Sequence, residues 1–285
     1  MPFFIPFAVG GLVLTALGLG VKRVLEEGAP ATPEEAGVRA ARERHREALA
    51  SLREARLRAR DGVTAWSELQ ARAHAEGLVP FRALVERLER WEYAREEDVL
   101  EPTALEALRA LPREPPPRAA RRPWPLLGAG ALAPPELTPV LAWLERGWLD
   151  EDAPPVVVDG ASLFEAAAPW AMTAPGTPPD ERVRALDAAT GTLARATRFL
   201  AELQARLEAR TSRVAGLHGR VSAQLAYLDP ASFEEGGPEP RERLRRLAVL
   251  VGRVAVLVRT PVLTPEGRLA PVPPESPDEL ATPPE

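Results

Sequence analysis

Seven apolar residues stand seven apart without a miss: Leu186, Leu193, Leu200, Leu207, Val214, Val221 and Leu228. No other feature of the chain narrows its fold so far. A strict heptad over a segment bounded by Pro179 and Asp229 predicts one continuous helix, about 75 Å long at 1.5 Å per residue, with a stripe that needs a partner helix. Ala189, Ala196, Leu203 and Leu217 fill the complementary seam positions, and Arg210 and Gln224 interrupt them. Polar seam residues commonly set register or partner choice.

A second heptad lies earlier. Val38, His45, Leu52, Ala59, Trp66 and Ala73 form one series, and Ala41, Ala48, Ala55, Gly62 and Leu69 lie three residues after its first five members. Thr32, Pro33, Glu34 and Glu35 make a helix start, since proline suits the first turn and acidic residues its dipole. The spacing predicts a break at "AEGLVP" and a second helix, "FRALVERLERWEY", with Phe81, Leu84, Val85, Leu88 and Trp91 on one face. The simplest partner for the later rod is this earlier one, folded back antiparallel. The fold class expected is therefore all-α, with a long antiparallel coiled-coil hairpin or small helical bundle.

The chain begins with an uncharged run, Phe3 to Val21, followed by Lys22 and Arg23. Nineteen residues make about 28 Å of helix, close to the hydrocarbon thickness of a bilayer. The positive charges follow the apolar run, the reverse of a secretory signal. Residues 1–23 are expected to be an uncleaved, single-pass transmembrane helix of a bacterial inner membrane, with the body on the cytoplasmic side by the positive-inside rule. Ala8, Gly11, Thr15 and Gly18 form a small-residue stripe on which membrane helices pack.

The remainder divides into 33–111, the first coiled-coil helix and its continuation; 112–178, a Pro/Trp-rich middle with short helices; 179–260, the second coiled-coil helix and an apolar helix; and 261–285, a short hairpin and a disordered tail. The middle holds a Pro/Arg linker (111–127), an amphipathic stretch "PPELTPVLAWLERGWL" and one short strand at "PPVVVDG". Helix 241–259 is nearly all apolar from Leu247 to Val258 and begins with Arg241, Arg243, Arg245 and Arg246. It either packs inside the bundle or lies on anionic lipid. Pro265 and Gly267 occupy the second and fourth positions of a type I turn.

Catalytic signals are missing. There is no cysteine, so thiolate chemistry and thiolate metal sites are excluded, and the sole lysine, Lys22, leaves no phosphate-loop lysine. His45, His74 and His218 are scattered; two of them, His45 and His218, fall beside seams and would approach one another in an antiparallel hairpin. The acidic clusters "REEDVLE" and "DEDAPP" read as solvated helix ends, and "LLGAGAL" lacks the full dinucleotide fingerprint. No enzyme, cofactor or metal is expected. With 36 basic and 41 acidic residues the net charge is -5, and no basic helix precedes the leucine series, so nucleic acid is not an expected partner.

An N-terminal apolar helix, a coiled coil leading to "EGLVPFRALVERL", a middle "LAWL", a second coiled coil ending "LAYLD" and the closing "RTPVLTPEGRLAP" together resemble a family of uncharacterised bacterial coiled-coil membrane proteins, sometimes labelled chemotaxis proteins. Its resemblance implies no activity and no functional residue. In that family "LAWL" lies in a membrane-like hairpin, whereas here Glu145, Arg146, Asp150, Glu151 and Asp152 surround it. The expected function is a membrane-tethered interaction or scaffold protein, with the bilayer, a protein partner or self-association as its contacts. The alternative is a membrane-active protein that inserts into or remodels lipid through its apolar helices.

Overall fold

The computed structural model describes residues 33–113, 138–146, 157–158, 161–169, 176–228, 233 and 238–271. The apolar run 3–21 with its stripe, residues 114–127 of the linker, "DEDAPP", "LLGAGAL" and the tail beyond Pro271 lie outside the described residues. Among the described residues no helix is long and apolar enough to cross a membrane.

The fold is all-α. Helix α1 (Pro33–Ala73) continues through a π-helical turn (His74–Leu78) into α2 (Val79–Arg90). The expected break at "AEGLVP" is a widened turn instead. Pro80 has no N–H to donate and its ring crowds the carbonyl four residues back, and the helix absorbs this by a shift to i→i−5 bonding, with the Val79 N–H on the His74 carbonyl. Helix α2 ends one residue short of Trp91, and Glu92 then adopts a left-handed φ of 55°. Trp91, expected on the buried face, is therefore 45% exposed.

Short helices α3 (Glu96–Val99) and α4 (Pro102–Ala110) follow, then α5 (Thr138–Arg146). Strands β1 (Val157–Val158) and β2 (Ala161–Ser162) pair antiparallel, two residues each, before α6 (Leu163–Ala167). Helix α7 (Pro179–Tyr227) is the leucine rod, and α8 (Pro238–Arg259) folds back along its distal end. A closing turn follows, in which the Gly267 N–H reaches the Thr264 carbonyl and Leu263 bridges to Leu269. Gly267 has φ +76°, a left-handed value that favours glycine.

Helices α1 and α7 are the principal contact of the molecule, and they run parallel. Arg44 pairs with Asp187, Gly62 faces Gln204, and Glu76 lies beside His218, so the numbers rise together along both helices. The antiparallel hairpin is thereby corrected. A short loop would have dictated an antiparallel partner, but residues 74–178 are long enough to turn at the top and travel back down the rod, as a parallel pair requires. Leu52, Ala59 and Trp66 of α1 and Leu193, Leu200, Leu203, Leu207 and Val214 of α7 are buried in one core. Full burial of each leucine contributes about 1.5–3 kcal/mol, opposed by chain entropy.

Helix α8 lies inside the bundle. Leu244, Leu247, Ala248, Val251, Val254, Ala255 and Val258 are buried, and the helix packs on α4 and α7. A Cβ built at Gly252 would stand 2.6 Å from the Ala104 Cβ, so the two helices touch nearly backbone to backbone. Gly252→Ala is expected to lower unfolding free energy by about 1–3 kcal/mol, because Ala104 is a short side chain with no freedom to swing aside. Urea titration followed by circular dichroism measures this; an unchanged midpoint would show that α4 and α8 separate at little cost.

Candidate functional site

Every member of the leucine series is buried, Leu228 among them just past the end of α7. The interaction seam expected from the sequence is thus filled by the chain's own residues. What the structure adds is a set of polar side chains on α1, the π turn, α2 and α7 that reach carbonyls in or just beyond α4, α5, α6 and α8.

His45, at a seam position of α1, places Nε2 2.8 Å from the Ala166 carbonyl at the end of α6. Arg56 donates to the Leu144 carbonyl of α5 at 3.0 Å. His74 Nε2 lies 2.7 Å from the Pro112 carbonyl, and Arg82 donates to the carbonyls of Leu108 in the last turn of α4 and of Leu111 and Pro112 beyond it. Gln70 donates to the Val258 carbonyl in the last turn of α8 at 3.0 Å, and Arg210 to the Thr260 carbonyl at 2.6 Å. The last carbonyls of a helix have no partner within it, so donors from outside are needed wherever such an end is buried. Here α1, the π turn, α2 and α7 supply those donors.

This accounts for one of the two seam interruptions. Arg210 also lies over the Trp66 ring, 6.0 Å from its centroid, and burial draws its guanidinium pKa down, with Arg206 and Arg213 adding to the effect. Gln224 Oε1 is buried without a hydrogen-bond partner among the described residues, and nothing in the structure explains that choice of residue. Burial likewise lowers Arg56 and Arg82. Arginine is in effect always protonated in proteins, so the lowering weakens these guanidiniums' hold on the proton without removing the charge.

His45 and His218 do not meet. In a parallel pair they belong to opposite ends: His45 reaches α6, while His218 lies 3.6 Å from Glu76 and 3.4 Å from the Ser222 hydroxyl. Serine, histidine and glutamate in one place invite comparison with a nucleophilic triad. Both neighbours, however, address the same ring nitrogen, Nε2, whereas a relay needs one partner on each nitrogen. The cluster is a polar contact between the π turn and α7. Glu96 and Glu97 of "REEDVLE" are tied to Arg109 of α4. Among the described residues no group of three or more His, Asp or Glu side chains is placed to hold a metal ion.

His74 gives the molecule an expected pH response. Burial holds its pKa below the ordinary imidazole value; the Pro112 carbonyl works in the opposite direction and Arg82 adds to the depression. The unfolded chain takes up a proton near pH 6.5 that the folded one refuses, so stability is fully present above that value and falls as pH falls. Melting temperatures from about pH 8 to about pH 5.5 should decline in the parent and decline less in His74→Gln. Equal slopes would mean that His74 protonates as easily folded as unfolded.

No family model, curated protein or solved structure matches the chain.

Proposed function

We propose that this chain is a membrane-tethered scaffold. Its apolar segment 3–21 would span a bacterial inner membrane once, packing through Ala8, Gly11, Thr15 and Gly18, and its helical rod would stand on the cytoplasmic side. The observation that carries this reading is the parallel pairing of α1 and α7. A parallel pair puts the starts of both rods at the end that follows residues 1–32, and gathers α2, α3, α4 and α8 at the other. The anchor and the helical head are then separated by a stalk of about 60 Å, the length of α1.

Two further features support a spacer. The seam is filled within one chain, so rod formation requires no second copy. The burial of the apolar face of α8 on α4 and α7 favours a tether over lipid insertion, since insertion would expose those contacts. A protein partner would be met by the head, where Trp91 and Tyr227 stand exposed.

Alkaline carbonate extraction tests the tether. The full chain is expected to stay in the membrane pellet, and the chain without residues 1–23 to move to the supernatant without binding liposomes. Extraction of the full chain, or lipid binding by the truncated one, would overturn it.

A further inference from the structure

Where the closing turn lies against α7, an open cleft of about 320 Å³ is lined by Arg195, Arg198, Glu202 and Arg206 on the rod and by Arg268 on the turn, over a floor of Phe199 and Leu269. Four guanidiniums meet one carboxylate there, in a protein whose net charge is -5. Elsewhere the exposed arginines are divided: Arg44, Arg46, Arg58, Arg60, Arg109, Arg243, Arg246 and Arg259 reach a carboxylate, whereas Arg39, Arg42, Arg53, Arg72 and Arg220 stand without one among the described residues, so the cleft is set apart by the grouping of its four. None of the four cleft arginines makes an ion pair among the described residues. Arg206 is held by the Ala270 carbonyl and Arg195 donates once, to the Thr192 hydroxyl at 3.1 Å; among the described residues no hydrogen bond or ion pair holds the forks of Arg198 and Arg268, although the Arg268 charge lies close enough to Glu266 to lower its carboxyl pKa.

Like charges do not gather without a reason, because each guanidinium raises the cost of the next. The spacing on α7 brings them together on one face: residues 195, 198, 202 and 206 follow one another by three or four. The turn contributes the last charge from across the cleft, and Arg206 fixes the turn by binding its backbone.

We propose that this cleft is a binding site for a small phosphate-bearing ligand, whose phosphate is gripped by Arg195, Arg198 and Arg268 and whose apolar part rests on Phe199 and Leu269. Planar guanidinium forks match phosphate oxygens two at a time, and the volume lies at the lower end of small-molecule sites. A phosphate monoester is preferred to a carboxylate because its double charge and three terminal oxygens can engage more than one guanidinium fork at once. Glu202, between Arg198 and Arg206, opposes the anion and limits affinity. This proposal does not depend on the membrane tether.

The test uses the full chain in uncharged detergent micelles, titrated calorimetrically with AMP, pyrophosphate and adenosine, and by thermal shift in the same micelles doped with phosphatidic acid. AMP or pyrophosphate is expected to saturate one site and adenosine to leave it empty. Arg198→Ala and Arg268→Ala should each weaken binding about tenfold, the loss of one charge-assisted pair. Glu202→Gln should tighten it. Arg58→Ala, with the same change in net charge but on α1, should leave it unchanged. If phosphatidic acid alone raises the melting temperature, and Arg198→Ala abolishes that rise, the ligand is a lipid headgroup at the same site. Three outcomes overturn the proposal: no binding of any phosphate, binding insensitive to Arg198→Ala and Arg268→Ala, or equal weakening by Arg58→Ala.

Discussion

Trp66→Ala is expected to destabilise the protein by about 3–5 kcal/mol, at the upper end of single core truncations. Trp66 occupies a seam position of the α1 and α7 pair, is fully buried, and is with Trp143 one of the two largest side chains of the core. Its loss leaves a cavity that two straight rods cannot close by local collapse, because each is held above and below by the same heptads. It also uncovers Arg210, whose guanidinium lies over the indole while its Nη1 donates to the Thr260 carbonyl. Trp66→Phe keeps an aromatic ring beside Arg210 and should lose much less. Urea unfolding of Trp66→Ala, Arg210→Met and the double variant gives the coupling between the pair, expected at about 0.5–2 kcal/mol. Strict additivity would show that the stacked arrangement contributes nothing.

The parallel pairing has an equally large readout, because the chain has no cysteine to interfere. A Cβ at Gly77 stands 3.3 Å from Val221 Cγ1, so the two positions are in direct side-chain contact. Gly77→Cys with Val221→Cys should crosslink nearly completely on mild oxidation, within one chain. By closing so long a loop it should raise stability by about 4–5 kcal/mol in the chain-entropy limit. Gly77→Cys with Asp187→Cys should not crosslink: along α7, Asp187 lies about 50 Å from Val221. An antiparallel hairpin would give the opposite pattern, so the two variants decide the topology on a denaturing gel.

Much of the architecture was legible before any coordinates. The leucine series marked α7 to within a residue at its end, the Thr32–Pro33 start marked α1, and the apolar run of 247–258 marked α8, because a 3.6-residue period leaves its trace in every turn. The polar contacts were not legible. His45 and Arg210 stood out only as interruptions, and Gln70, Arg56 and Arg82 did not stand out at all, because their partners are backbone carbonyls, which carry no sequence signature. Trp91 followed the helical period and still ended exposed, since one left-handed residue at Glu92 ends the helix before it. The cleft was hidden for a similar reason: Arg268 lies far along the chain from Arg198, and only the fold of the closing turn brings them together.

By itself, the sequence determined that this is an all-α chain built on two heptad rods, because hydrophobic periodicity is a local property that any helix must satisfy. It also determined which faces of those rods are buried. Direction was decided only by the tertiary structure. A heptad stripe fits a parallel partner as well as an antiparallel one, and the choice falls to the segment between them, which here is long enough to return along the rod and is held there by donors at its helix ends. Parallel pairing in turn sets which histidines are neighbours, and it sends α8 back along the rod to place the closing turn beside the arginines of α7.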